Sequence, residues 1–171
     1  GLLWAKVLRS PLPHARIVRI DASQAKALPG VHAVLTGHDL AGVFIGTRVK
    51  DQPVLAADKA RYVGDAIAAV AADTEELAEE AVSLIDVEYA ELPIVTDPVA
   101  ALEPSTPLIH EDRARYKNAA PVPEGIPSHN LQSYMQWKHG DIDAAFKQAK
   151  HIFEHTFRTP LSHHGYIEPH A

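Results

Sequence analysis

The apolar positions of residues 66–90 change their spacing twice. Ala66 to Ala72 is an unbroken apolar run, the pattern of a strand buried on both faces. Asp73-Thr74-Glu75-Glu76 then matches a capping box, with Asp73 as cap and Glu76 three residues on. Its acidic first turn suits a helix dipole. Leu77, Ala78, Ala81 and Leu84 recur at helical spacing and predict a helix over 74–84 with Leu77, Ala81 and Leu84 toward a sheet. Ile85, Val87 and Tyr89 then alternate with Asp86 and Glu88, so a strand follows over 85–90.

Upstream, Leu2 to Arg9 reads as a strand ended by Pro11 and Pro13. Ala15 to Ile20 reads as a second, on β-branched content more than on alternation. Asp21 and Gln24 have the spacing of another capping box, for a short helix stopped by Pro29-Gly30. Val31 to Leu35 is a third strand. Downstream the texture changes: seven of the 13 prolines fall between Pro93 and Pro127. Residues 103–128 therefore read as a connector wrapping over the surface. Asn130 to His139 is expected to be a strand, Asp141 to cap a helix ending near Ala149, and 152–159 to alternate as a further strand. No internal repeat is visible.

Composition narrows the function classes. The 171 residues are 46% hydrophobic and 22% charged, enough for one sizeable core. The formal charge is −6 with no basic run, which argues against nucleic acid or an anionic membrane as partner. The apolar run 66–72 is far shorter than the roughly 20 residues that span a bilayer. Cysteine is absent, so thiolate catalysis, disulfides and iron–sulfur ligation are excluded for these residues. Neither end has the look of a terminus, and a piece of a longer protein is expected.

Candidate chemistry is sparse. Most of the 11 histidines are scattered singly, as at His14, His32, His38, His110, His129 and His139, where an imidazole is ordinarily a surface or satisfied core group. The exception is the cluster His163, His164, Glu168 and His170, with His151 and His155 nearby. Its spacing is not the helical arrangement that puts two imidazoles on one face, and Pro169 argues against a helix. Glu75, Glu76, Glu79 and Glu80 read as a solvated helix face. Asp51 and Asp65 lie in loops. Gly42-Val43-Phe44-Ile45-Gly46 lacks the features of a phosphate loop, and no nucleophile elbow occurs. The residues alone leave two readings open. One is a small metal-dependent hydrolase on His155, His163, His164, Glu168 and His170. The other is a free-standing protein-interaction module.

Several segments taken in order resemble one family. They are Ala5 to Ile17, Leu28 to Thr36, Asp51-Gln52-Pro53, Arg61-Tyr62-Val63-Gly64-Asp65, Ala69 to Ala78, Val87 to Pro93, Gly140-Asp141, Phe157 to Pro160, and His164 to Ala171. Together they are similar to the large subunit of molybdenum hydroxylases, the xanthine dehydrogenase/aldehyde oxidase family. The resemblance covers nearly the whole chain apart from the connector.

The resemblance implies an α+β fold: an α/β-hammerhead domain at 1–102, the connector at 103–128, and the truncated start of a molybdopterin-binding domain at 129–171. It implies hydroxylation of an aldehyde or aromatic heterocycle with water as oxygen source. Molybdopterin-molybdenum would serve the full-length enzyme, with [2Fe–2S] clusters and FAD on other domains or subunits. Ser162, His163 and His164 would lie on the cofactor side. Ser162 stands where the family has a glutamine, which counts against a purine-type site and leaves aldehydes, heterocycles and aromatic acyl thioesters. No catalytic residue, no metal ligand and no bound cofactor is expected in these residues by themselves. The remaining molybdopterin domains, the iron–sulfur and FAD domains or subunits and a small-molecule substrate would be the partners, and the cytoplasm or periplasm the compartment. Phe153, Phe157, Tyr166 and Ile167 are expected to be left uncovered, so that this end frays or self-associates.

Overall fold

The computed structural model describes residues 1–126, 130–160, 162, 165 and 167. The chain divides into two units, Gly1–Tyr134 and Met135–Ala171.

The first unit is built on two antiparallel three-stranded sheets. Its elements are β1 (Trp4–Arg9), β2 (Ala15–Asp21), α1 (Ser23–Ala27), β3 (Val31–Thr36), β4 (Phe44–Ile45), β5 (Gln52–Pro53), β6 (Lys59–Ala60), β7 (Ala66–Ala72), α2 (Glu75–Ser83) and β8 (Asp86–Glu91). One sheet has the order β1-β7-β3 and the other β6-β2-β8, while β4 and β5 form a small pair. The apolar run 66–72 is the central strand of the first sheet. Its Ala68 and Val70 join Ala22, Ala25, Val34, Ala81 and Ile85 in one core. Ile67 points the other way, into a second core with Ile17, Ala56 and Ala60. Ala69 and Ala71 remain half open. The strand is thus covered on both sides only in part.

The strand–helix–strand order is present, but β8 leaves the first sheet and pairs with β2. A shift of register between Ile17 and Arg19 turns Val18 out to 54% exposure. That bulge is why β2 shows weak alternation. Both predicted caps move by one residue. Thr74, not Asp73, caps α2 by accepting from the Leu77 N–H, at 3.2 Å. Asp73 is drawn instead to His32 Nε2, at 2.7 Å. Asp21 ends β2 and accepts the Ser23 N–H, while Ala22 takes the cap position of α1. Gly30, at φ +86°, closes α1: a Cβ there would meet Leu77 Cδ2 at 2.8 Å.

On α2 the fully buried positions are Ala78 and Ala81, and Leu77 and Leu84 are half-buried. Alanine lets the helix sit close on β1 and β7. Ala81→Leu is therefore expected to cost about 1–3 kcal/mol through overpacking, read from the denaturant midpoint. An unchanged midpoint would show that the helix has room to lift. The acidic face is not wholly solvated: Glu75 and Glu79, one turn apart, both bind Lys6 of β1, at 2.6 and 2.9 Å.

The second unit contains α3 (Ile142–Gln148), capped as expected by Asp141 through the Ala144 N–H at 2.9 Å. No residue of α3 is buried. Met135, Trp137, Phe153, Phe157 and Ile167 are more than four-fifths exposed. The segments 130–139 and 152–159 are not strands. Their alternation is real, but a strand exists only in a ladder, and neither segment finds one among the described residues. Amide hydrogen exchange should therefore be slow in β7 and α2 and fast throughout 135–160. Protection of 135–160 that persists on dilution would contradict this.

Candidate functional site

The polar groups of the first unit converge where the connector crosses β4, β5 and β6. Its described residues hold almost no regular structure beyond a short 3-10 turn at Arg113–Arg115, with another just before it at Ala100–Leu102. Side chains hold it instead. Asn130 donates to the carbonyls of Ala101 and Pro107 and accepts from the Ile109 N–H at 3.0 Å. Arg113 donates to the carbonyls of Ala120, Leu131 and Gln132. Arg61 Nε reaches the Ile109 carbonyl at 3.2 Å, and the Lys50 N–H the Lys117 carbonyl at 3.0 Å. Proline-rich sequence cannot supply a ladder, so arginine and asparagine take the backbone carbonyls in its place.

Lys59 is the deepest charge in this region. Its side chain is 4% exposed, and Nζ meets Glu111 of the connector at 2.6 Å. Burial raises the Glu111 carboxyl, but the Lys59 hydrogen bond and the charges of Lys59 and Arg61 outweigh it and leave the group below its usual range. Burial, aided by the Arg61 charge, pushes His110 down; its Nδ1 lies 3.1 Å from the Tyr116 hydroxyl.

Arg61 and Tyr116 also line a cavity of about 670 Å³. Leu40, Phe44, Pro53, Leu55 and Tyr116 supply its apolar lining, and Lys50, Arg61, Arg115, Lys117, Asp58 and Asp112 its charged lining. Phe44 and Tyr116 are tilted rings with centroids 5.6 Å apart.

Asp65 is not free to act as a base. It is buried and tightens its own turn: its carboxylate accepts the Arg61 N–H at 3.0 Å and its carbonyl the Ser10 N–H at 2.8 Å. Desolvation raises its carboxyl. His14 is also buried, with Nδ1 2.6 Å from the Pro93 carbonyl.

The cofactor-side residues are placed unevenly. Ser162 is exposed. His163 and His164 lie outside the described residues, as do Glu168 and His170 of the alternative metal cluster. His155 is exposed with its ring 6.2 Å from that of Phe157. No three metal-ligating side chains gather among the described residues.

Lys59, Glu111, Arg113 and Asn130 do not stand out in the sequence. Lys59 alone leaves a trace, as a cation set among the small apolar residues Ala56, Ala57 and Ala60. Nothing in the proline-rich stretch distinguishes Glu111.

Residues 1–93 match the family model described as the aldehyde oxidase and xanthine dehydrogenase a/b hammerhead domain. The chain belongs to this family. Residues 122–171 match the molybdopterin cofactor-binding domain. The hammerhead chain is 42% identical over 99% of its length to the nicotinate dehydrogenase large molybdopterin subunit of Eubacterium barkeri. It is 36% identical over 98% to the carbon monoxide dehydrogenase large chain of Afipia carboxidovorans. It spans only 36% and 21% of those proteins. Among solved structures, a Cu,Mo-CO dehydrogenase in its carbon-monoxide-reduced state matches 88% of this chain at 38% identity, with a TM-score of 0.71 and 19% of that chain covered. Other relatives are named as parts of complexes, such as the gamma subunit of the 6-hydroxypseudooxynicotine dehydrogenase complex of Paenarthrobacter nicotinovorans. No described helix is long and apolar enough to cross a membrane.

Proposed function

We propose that this chain is part of the large subunit of a molybdenum hydroxylase that hydroxylates an aldehyde or an aromatic heterocycle, with water as the oxygen source. The observation that carries this reading is the succession of two matched regions, a hammerhead domain followed by a molybdopterin cofactor-binding region, in one chain. In the overall reaction R–H and water give R–OH, two protons and two electrons. The molybdenum cofactor of the whole protein supplies the redox chemistry when bound. Iron–sulfur and FAD domains or subunits take the electrons onward.

Within this scheme residues 1–102 form the hammerhead domain, 103–128 the connector and 129–171 the opening of the cofactor domain. Ser162, His163 and His164 face the cofactor, and the protein works in the cytoplasm. The uncovered side chains of Met135, Trp137, Phe153, Phe157 and Ile167 support this division, because burying them takes further packed surface.

The test uses the complete gene product, purified with its partner subunits. Elemental analysis should find one molybdenum per large subunit. Turnover of an aldehyde or N-heterocycle in ¹⁸O-labelled water should place the label in the product. Label arriving from O₂ instead, or a stoichiometric zinc with hydrolase activity, would overturn the reading.

A further inference from the structure

The 670 Å³ cavity of the first unit has the size and make-up of a small-molecule site. Its four basic side chains outnumber the two acidic ones, in a chain whose net charge is −6. Arg115 is matched by Asp112 at 3.2 Å. Lys50, Arg61 and Lys117 have no carboxylate within ion-pair distance among the described residues. Two of the three are held in place. Lys50 Nζ donates to the Gly46 carbonyl at 2.6 Å, and Arg61 donates to the carbonyls of Ile109 and Lys59. Each keeps further N–H donors unused. Phe44 and Tyr116 line the same cavity as a tilted ring pair with centroids 5.6 Å apart. Asp58 offsets part of the positive charge and leaves the lining net positive.

We propose that this cavity binds a small aromatic carboxylate, its ring against Phe44 and Tyr116 and its carboxylate among Lys50, Arg61 and Lys117. A planar carboxylate suits a guanidinium and two ammoniums that have no carboxylate partner among the described residues, because charge-assisted hydrogen bonds are the strong ones. A ring suits the aromatic wall, which an inorganic anion would leave wet. This assignment stands whether or not the whole protein is a hydroxylase, since it rests on the first unit alone.

The probe is benzoate, titrated into the full chain and followed by NMR on the ring resonances of Phe44 and Tyr116. Benzamide tests the charge and acetate tests the ring. Saturable shifts with benzoate are expected, with benzamide bound at least roughly tenfold more weakly, the ratio one lost charge-assisted bond brings, and acetate weakened by about the same factor through the lost burial of its ring. Lys117→Gln, at an exposed position whose backbone alone pairs with Lys50, should weaken benzoate by about the same factor while the amide spectrum stays native. Phe44→Leu serves as the second variant and should weaken benzoate without changing acetate. Equal affinity for benzoate and benzamide, acetate binding as tightly as benzoate, no saturable shift, or an unaltered Kd in both variants would overturn the assignment.

Discussion

Gly37→Ala is expected to lower the stability of the first unit by about 3 kcal/mol or more, a penalty at the upper end for a single added methyl. Gly37 follows β3 directly, where the chain turns toward β4. A Cβ at this position would stand 2.4 Å from the carbonyl carbon and oxygen of Ala56 and from the Ala57 nitrogen. All three are backbone atoms, so no rotamer change relieves the contact. The segment 55–57 cannot retreat either: Leu55 and Ala56 are buried, and the Ala56 N–H is bonded to the Ala66 carbonyl at 2.7 Å. Gly42 makes the control. It lies in the same loop at φ +83° with nothing within 4 Å of an added Cβ. Gly42→Ala meets only the backbone strain of a left-handed residue, about 1 kcal/mol. Urea unfolding followed by circular dichroism separates the two. Equal midpoints for both variants would mean that β3 and 55–57 do not approach this closely.

Such contacts show what a sequence hides. The helix α3 and its Asp141 cap are legible because a cap bonds a neighbour three residues on. The apolar run of β7, the helical face of α2 and the alternation of β8 are legible for the same reason, each being a local pattern. The cap of α2 is off by one residue because Asp73 and Thr74 are both good caps. The choice falls to His32, 41 residues away in sequence, which claims Asp73. Residues 130–139 and 152–159 read as strands because alternation states a preference, while pairing requires a second segment. In the candidate site, Lys59 and Glu111 are separated by 52 residues and meet only because the connector folds back across β6. No spacing rule reports a contact made by an irregular path.

That contact carries the second large effect. Glu111→Ala is expected to cost about 2–3 kcal/mol, whereas Lys59→Met should be close to neutral. The asymmetry follows from burial. The Lys59 side chain is 4% exposed and that of Glu111 57%. Removing the glutamate strands an ammonium inside the protein; removing the lysine leaves a carboxylate that turns to water, and methionine refills the space. The cost falls at the low end for a broken buried pair because solvent already reaches the glutamate side. The pH dependence has a definite sign. Glu111 is held below its ordinary value of 4.5, so its contribution is present above that value and disappears as pH falls through the lowered one. Stability differences between wild type and Glu111→Gln, measured by denaturant titration, should therefore be largest near neutrality and shrink at acid pH. At the same pH the connector should lose protection in hydrogen exchange around Ile109, whose carbonyl is held by Arg61 beside Lys59. A difference that is flat from neutral pH to below the ordinary carboxylate range, or a Lys59→Met protein less stable than Glu111→Ala, would show that the connector is fastened by something other than this pair.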